Sequence, residues 1–110
     1  MRPGRAHGGM HAPVDHFVTD LAFRSATELA AALRERRLSA REALDHFLAR
    51  ADRFNRGINA IVAWDVEGAR ARAAAADAAT ARGESWGPLH GLPMTIKDAI
   101  EVVGMATTCG

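Results

Sequence analysis

The chain has 110 residues, 48% of them hydrophobic and 25% charged, with a formal net charge of +1 and one cysteine, Cys109. Such a length suits one domain with a modest core, and such a charge gives no field that would draw in nucleic acid or an anionic membrane. A lone thiol forms no intrachain disulfide, no apolar run is long enough to span a bilayer, and the N-terminal "MRPGRAHGGMHAPVDHF" lacks the continuous apolar stretch of a secretory signal, so the expected compartment is the cytoplasm.

Residues 1–20 are rich in Gly, Pro and His without periodicity and read as a flexible tail, with Met10 an alternative start. His7, His11 and His16 match no fixed ligand spacing, so no metal is expected there. Ser25-Ala-Thr-Glu28 then predicts a helix start. A serine with a glutamate three residues on is a capping box, in which hydroxyl and carboxylate each satisfy a free backbone N–H. Leu29, Ala30 and Leu33 follow at helical spacing, and Arg36 and Arg37 fall where the C-terminal dipole favours cations. Ser39-Ala-Arg-Glu42 repeats the device for a second helix, whose apolar stripe is Ala43, Leu44, Phe47, Leu48 and Ala51, with Gly57 as its expected stop.

"INAIVAW", Ile58 to Trp64, carries β-branched residues and predicts a short strand or extended segment. Asp65 then caps an alanine-rich third helix, "VEGARARAAAADAATAR", which Gly83 ends. Its alanines can pack closely against another layer on nearly any side while burying little area. A Gly/Pro loop leads to "MTIK", Met94 to Lys97, and then to "IEVV", both read as strands. The order helix, helix, strand, helix, strand, strand is an α/β arrangement. The last strands have no later helices to cover them, which suggests an incomplete domain.

Within the strand Met94–Lys97, side chains alternate, so Met94 and Ile96 share one face and Thr95 and Lys97 the other. Lys97 either marks the strand end and reaches solvent, or is buried in a cleft, where loss of water favours the neutral amine and makes it a competent general base. Two capped helices with a short turn at Arg37-Leu38 also mimic a helix-turn-helix. Acidic Glu28, Glu35, Glu42, Asp45 and Asp52 interleave with Arg34, Arg36, Arg37, Arg41, Arg50, Arg53 and Arg56, however, which is the pattern of a solvated face.

The stretch Gly87-Pro88-Leu89-His90-Gly91-Leu92-Pro93-Met94-Thr95-Ile96-Lys97-Asp98, followed by Gly104-Met105-Ala106-Thr107-Thr108, resembles the first block of the amidase signature family. There a GPLxG[IL]P run leads into a short strand ending in Lys-Asp and a G-x-x-TT turn. The likeness extends upstream through the helices to about residue 25. It implies an α/β/α fold with a mixed central sheet, of which residues 21–110 would be the N-terminal helices and first strands. It implies hydrolysis of carboxamides, with a small-molecule amide as substrate, no cofactor, no nucleic acid or membrane partner, and a homodimer as a possible assembly of the complete protein. The family works through a Ser–cis-Ser–Lys triad, and Lys97 matches its lysine, the base that takes the nucleophile's proton through the bridging serine.

The Gly/Ser-rich stretch that carries the two serines is not in this sequence. Ser25 and Ser39 are cap candidates, and Ser85 has no Gly-rich context, so the chain alone is expected to be inactive. The resemblance assigns no catalytic part to Asp98, which reads as a turn-stabilising carboxylate, or to His90, which reads as a loop-packing group. Cys109 lacks a flanking Cys-His motif and reads as a passive thiol, and Trp64 and Trp86 as packing groups. One component of the tRNA-dependent amidotransferase shares the same block, although "GLPMTIKDAIEVVGMATTCG" looks more like the general amidases.

Overall fold

The structure is a computed structural model that describes residues 21–109. The expectations for residues 1–20, including His7, His11 and His16, lie outside the described residues. Among those described are a 3₁₀ turn, Leu21–Phe23, and three α-helices: α1 Ala26–Arg34, α2 Ala40–Ile58 and α3 Val66–Ala81.

Both capping boxes form. Ser25 Oγ accepts from the Glu28 amide at 3.1 Å while Glu28 accepts from the Ser25 amide at 3.0 Å. Ser39 and Glu42 make the same pair of bonds, each at 3.0 Å. At the start of α2 the two remaining free amides also find acceptors. Asp77 on α3 takes the Ala40 amide on Oδ1 at 2.7 Å and the Arg41 amide on Oδ2 at 3.2 Å. Its carboxylate thus lies at the positive end of the α2 dipole and ties α3 to it. Asp65 caps α3 by accepting the Gly68 amide at 2.9 Å.

The helix ends are set as locally as their starts. After α1 the Arg36 amide bonds to Leu33 O at 3.2 Å and the Arg37 amide to Ala32 O at 3.0 Å, a Schellman pair with Arg36 left-handed at φ 58°. The Arg36 guanidinium reaches across to Thr80 O at 2.6 Å, which anchors the turn on α3. Gly83, at φ 77°, closes α3 with the same bond pattern, as expected. Gly57 does not stop α2. The helix runs to Ile58, and Asn59 takes the left-handed position at φ 48°, a conformation that asparagine tolerates better than most residues.

α2 packs against α3 and against the 3₁₀ turn. The core joins Leu21, Leu29, Ala32, Leu33 and Leu38 to Ala40 and Ala43 of α2 and to Ala73 and Ala76 of α3, with Leu44, Phe47 and Leu92 packed on its rim. Alanine at these positions lets the helices approach closely. It also limits the apolar area removed from water, since burial contributes about 25 cal/mol per Å². Leu21 is the largest side chain that is wholly buried.

The expected α/β class is not what the described residues adopt: they contain helices and no strand. The reason lies in where the backbone bonds go. Ile61, in the middle of the expected strand Ile58–Trp64, bonds to the Asn55 side chain. Its amide donates to Oδ1 at 2.8 Å and its carbonyl accepts from Nδ2 at 3.0 Å. A side-chain amide replaces the neighbouring strand. Met94–Lys97 is extended but pairs with no other segment among the described residues, and a strand exists only as part of a ladder. The expected strand Ile100–Val103 lies across two successive turns, closed by Ile100 N to Lys97 O at 2.9 Å and Met105 N to Val102 O at 3.1 Å.

Candidate functional site

The segment after α3 is held at two points. The first is His90. The Trp86 backbone amide lies 3.0 Å from Nδ1 and can only donate, so Nδ1 is the unprotonated acceptor. Nε2 lies 3.0 Å from Ala76 O, which can only accept, so the ring proton is on Nε2. Thr80 Oγ1, itself donating to Ala76 O at 3.0 Å, takes a share of the same N–H at 2.8 Å. Two independent partners therefore fix one neutral tautomer. The His90 ring meets Trp86 edge-on at 4.9 Å, and the Arg72 guanidinium covers the other ring system of that stack at 4.3 Å from the Trp86 centroid. Gly91, at φ 75°, then brings the backbone so close to α2 that an added Cβ would stand 3.3 Å from Ala40 Cβ.

Between this loop and helices α2 and α3 runs an open, mainly apolar groove of about 500 Å³, whose walls include Leu44, Arg72, Trp86, His90, Leu92 and Met94. Lys97 is not among the residues that line it. As a packing group, Trp86 is thus only half covered: one side carries Arg72 and His90, and the other faces the groove.

The second point is Asp98. Its Oδ1 accepts the Thr108 amide at 3.0 Å, and Oδ2 accepts the Thr108 hydroxyl. The turn containing Thr107-Thr108 is thereby folded back onto the Lys97-Asp98 pair, and Asp98 has the turn-stabilising role expected of it. Lys97 itself is exposed, in contrast to a buried site on a strand. Its carbonyl closes the turn to Ile100, and its ammonium makes no hydrogen bond or ion pair with the described residues. Ser25 and Ser39 hydroxyls are engaged in their caps, and Ser85 Oγ bonds within its own turn to Gly87, at 3.2 Å to the amide. None of the three is joined to Lys97.

Several of the basic residues of the helix-turn-helix reading are engaged. Arg37 pairs with Glu35 at 2.7 Å and Arg56 with Asp52 at 3.2 Å, while Arg50 and Arg53 lie over Phe54. Among the described residues no three His, Cys, Asp or Glu side chains gather as metal ligands, and no helix is long and apolar enough to cross a membrane. Cys109 is exposed and free.

The site residues that sequence reasoning missed are Thr80 and Ala76, which receive His90. "GPLHG" gives the loop, but nothing in it points to a threonine and a carbonyl on the preceding helix.

A family profile described as Amidase matches residues 42–110. A glutamyl-tRNA(Gln) amidotransferase subunit from Acidothermus cellulolyticus is 41% identical over 93 residues, covering 84% of this chain and 18% of the relative. An acylamidase of Rhodococcus erythropolis is 43% identical over 91 residues, covering 83% of this chain and 19% of the relative. The corresponding amidotransferase subunit from Burkholderia thailandensis reaches 47% over 87 residues, covering 79% of this chain and 17% of the relative. The chain spans less than a fifth of the length of these relatives. No solved structure matches it.

Proposed function

The chain belongs to the amidase family, and from that we propose that it supplies the catalytic lysine of an enzyme that hydrolyses carboxamides. The observation that carries the reading is the Lys97-Asp98 block, tied by Asp98 to the Thr107-Thr108 turn, within the residues that match the family.

In the mechanism a serine Oγ attacks the amide carbon while its proton passes to a bridging serine, whose own proton passes to Lys97 Nζ. The C–N bond then breaks, the leaving nitrogen takes a proton, and water hydrolyses the acyl-serine to carboxylate. This is covalent catalysis by a base-activated nucleophile. Lysine can act so only as the free amine, which a water-excluding setting favours. Lys97 is exposed here, and Ser25, Ser39 and Ser85 are engaged elsewhere or lie in a loop turn. Cover for Lys97 and both serines must therefore come from outside the described residues, and this chain alone is expected to be inactive.

The relatives favour neither branch of the family, since identity to an acylamidase and to the amidotransferase proteins is nearly equal. The test is a chimaera in which residues 25–110 replace the matching segment of the Rhodococcus acylamidase. We expect it to release product from the acylamidase's own amide substrate, while the isolated chain does not. A chimaera that melts cooperatively yet hydrolyses nothing would overturn the reading.

A further inference from the structure

We propose that His90 is a pH-operated latch: in its neutral Nε2–H form it ties the loop from Trp86 to Gly91 onto α3, and protonation at Nδ1 releases that loop. The inference does not depend on amide hydrolysis.

The geometry leaves little choice of protonation state for the closed loop. Nδ1 accepts the Trp86 amide at 3.0 Å, and Nε2–H is shared between Ala76 O at 3.0 Å and Thr80 Oγ1 at 2.8 Å. A proton added to Nδ1 sets two donors face to face across 3.0 Å, so the Trp86 amide must move away. The Nε2 bonds survive protonation, which makes the change a hinge about the ring and not a loss of the whole contact. The ring is half-buried against Trp86, so the loop cannot simply slide to a new acceptor without breaking that stack.

The charged groups around the latch come from three elements. Arg72 of α3 lies on Trp86, Arg36 from the α1–α2 turn holds Thr80 O, and Arg41 of α2 and Asp77 of α3 line the opposite side of the ring's setting. Asp77 is already bonded to two α2 amides, so it is not free to swing towards an imidazolium. The consequence is directional. Trp86, Leu89 and His90 form one wall of the apolar groove, and the chain runs on from Gly91 through Met94 to Lys97. Acidification therefore widens the groove and loosens the segment that leads to the lysine, while α1, α2 and α3 stay packed.

The test is a pH titration of the whole chain by residue-resolved NMR, reading the His90 ring nitrogens and the exchange of backbone amides. We expect the Nε2–H tautomer above the titration. Below it, Trp86 amide protection should fall by about five- to tenfold at the same midpoint as the ring, the loss of one hydrogen bond. Helix amides such as those of Leu33 and Ala43 should keep theirs. In His90→Phe, which retains the ring against Trp86, the Trp86 amide should be unprotected throughout, with no step. An Nδ1–H tautomer, a Trp86 amide indifferent to the His90 titration, or loss of helix protection in the same step would each overturn the proposal.

Discussion

Asp77 is the residue on which most of the helix packing converges. It is a lone carboxylate in a run of alanines, yet it takes two amides at the start of α2 and so joins two helices by their backbones. Asp77→Ala leaves both amides without a partner, and the Ala40 amide is in a part-buried setting. We expect a loss of about 1–3 kcal/mol, read from denaturant or thermal unfolding followed by circular dichroism. Asp77→Asn keeps one acceptor oxygen but turns an NH₂ towards the second amide, and should fall between. Glu84 gives the contrast. Two bonds from Arg82, at 3.1 and 3.0 Å, hold its carboxyl below the usual carboxylate range. A depressed value gives stability that is present above the ordinary carboxylate pKa and is lost as pH falls through the lowered one. Both groups are in open water, where such pairs contribute little, so Glu84→Gln should leave the melting midpoint unchanged at neutral and mildly acidic pH.

At the scale of elements, α3 carries a test of its own start. Glycine inside a helix ordinarily costs about 1 kcal/mol relative to alanine. Gly68 is an exception with a visible cause: an added Cβ would stand 2.1 Å from Asp65 Oδ2, so alanine evicts the cap. We expect Gly68→Ala to give no gain in stability in the native background, but to gain about 1 kcal/mol once Asp65→Ala has already removed the cap. Melting curves of the four proteins in that cycle decide it.

The helix starts and the Gly83 stop were legible in the sequence because each rests on groups within about five residues. Ser25–Glu28, Ser39–Glu42 and Asp65–Gly68 need nothing from the rest of the fold. The Gly57 stop failed because Asn59 competes for the same left-handed position two residues on. The strands failed for a different reason. β-branched composition at Ile58–Trp64 and Met94–Lys97 reports what a segment would tolerate, but a ladder needs a partner that composition does not name. Asn55 satisfied Ile61 instead. The Asp77, Arg36 and His90 contacts bridge residues distant in sequence, and no local pattern marks them. Lys97-Asp98 and the Thr-Thr turn could be found as a motif, whereas the bond from Asp98 to Thr108 that joins them required coordinates.

At the scale of the whole molecule, the helical half is small and its cover incomplete. Met94, Ile96 and Ile100 are each exposed by half or more of their surface, and Val103 wholly so. Groups of this kind seldom stay in water together without a partner or a tendency to associate. We expect the isolated chain to be helical by circular dichroism and to bind an apolar dye strongly. Ile96→Asp together with Ile100→Asp should lower the dye signal while leaving the helical signal intact.

The central claim is that Lys97 serves as a proton acceptor for amide hydrolysis. The most direct measurement is kcat in the acylamidase chimaera with lysine, alanine or arginine at position 97. Alanine removes the base, and arginine keeps a cation that cannot release its proton at working pH. If Lys97 is the base, both substitutions lower kcat by about 10²–10⁴-fold or more, with arginine no better than alanine. A folded Lys97→Arg chimaera that turns over at near the lysine rate would contradict the account.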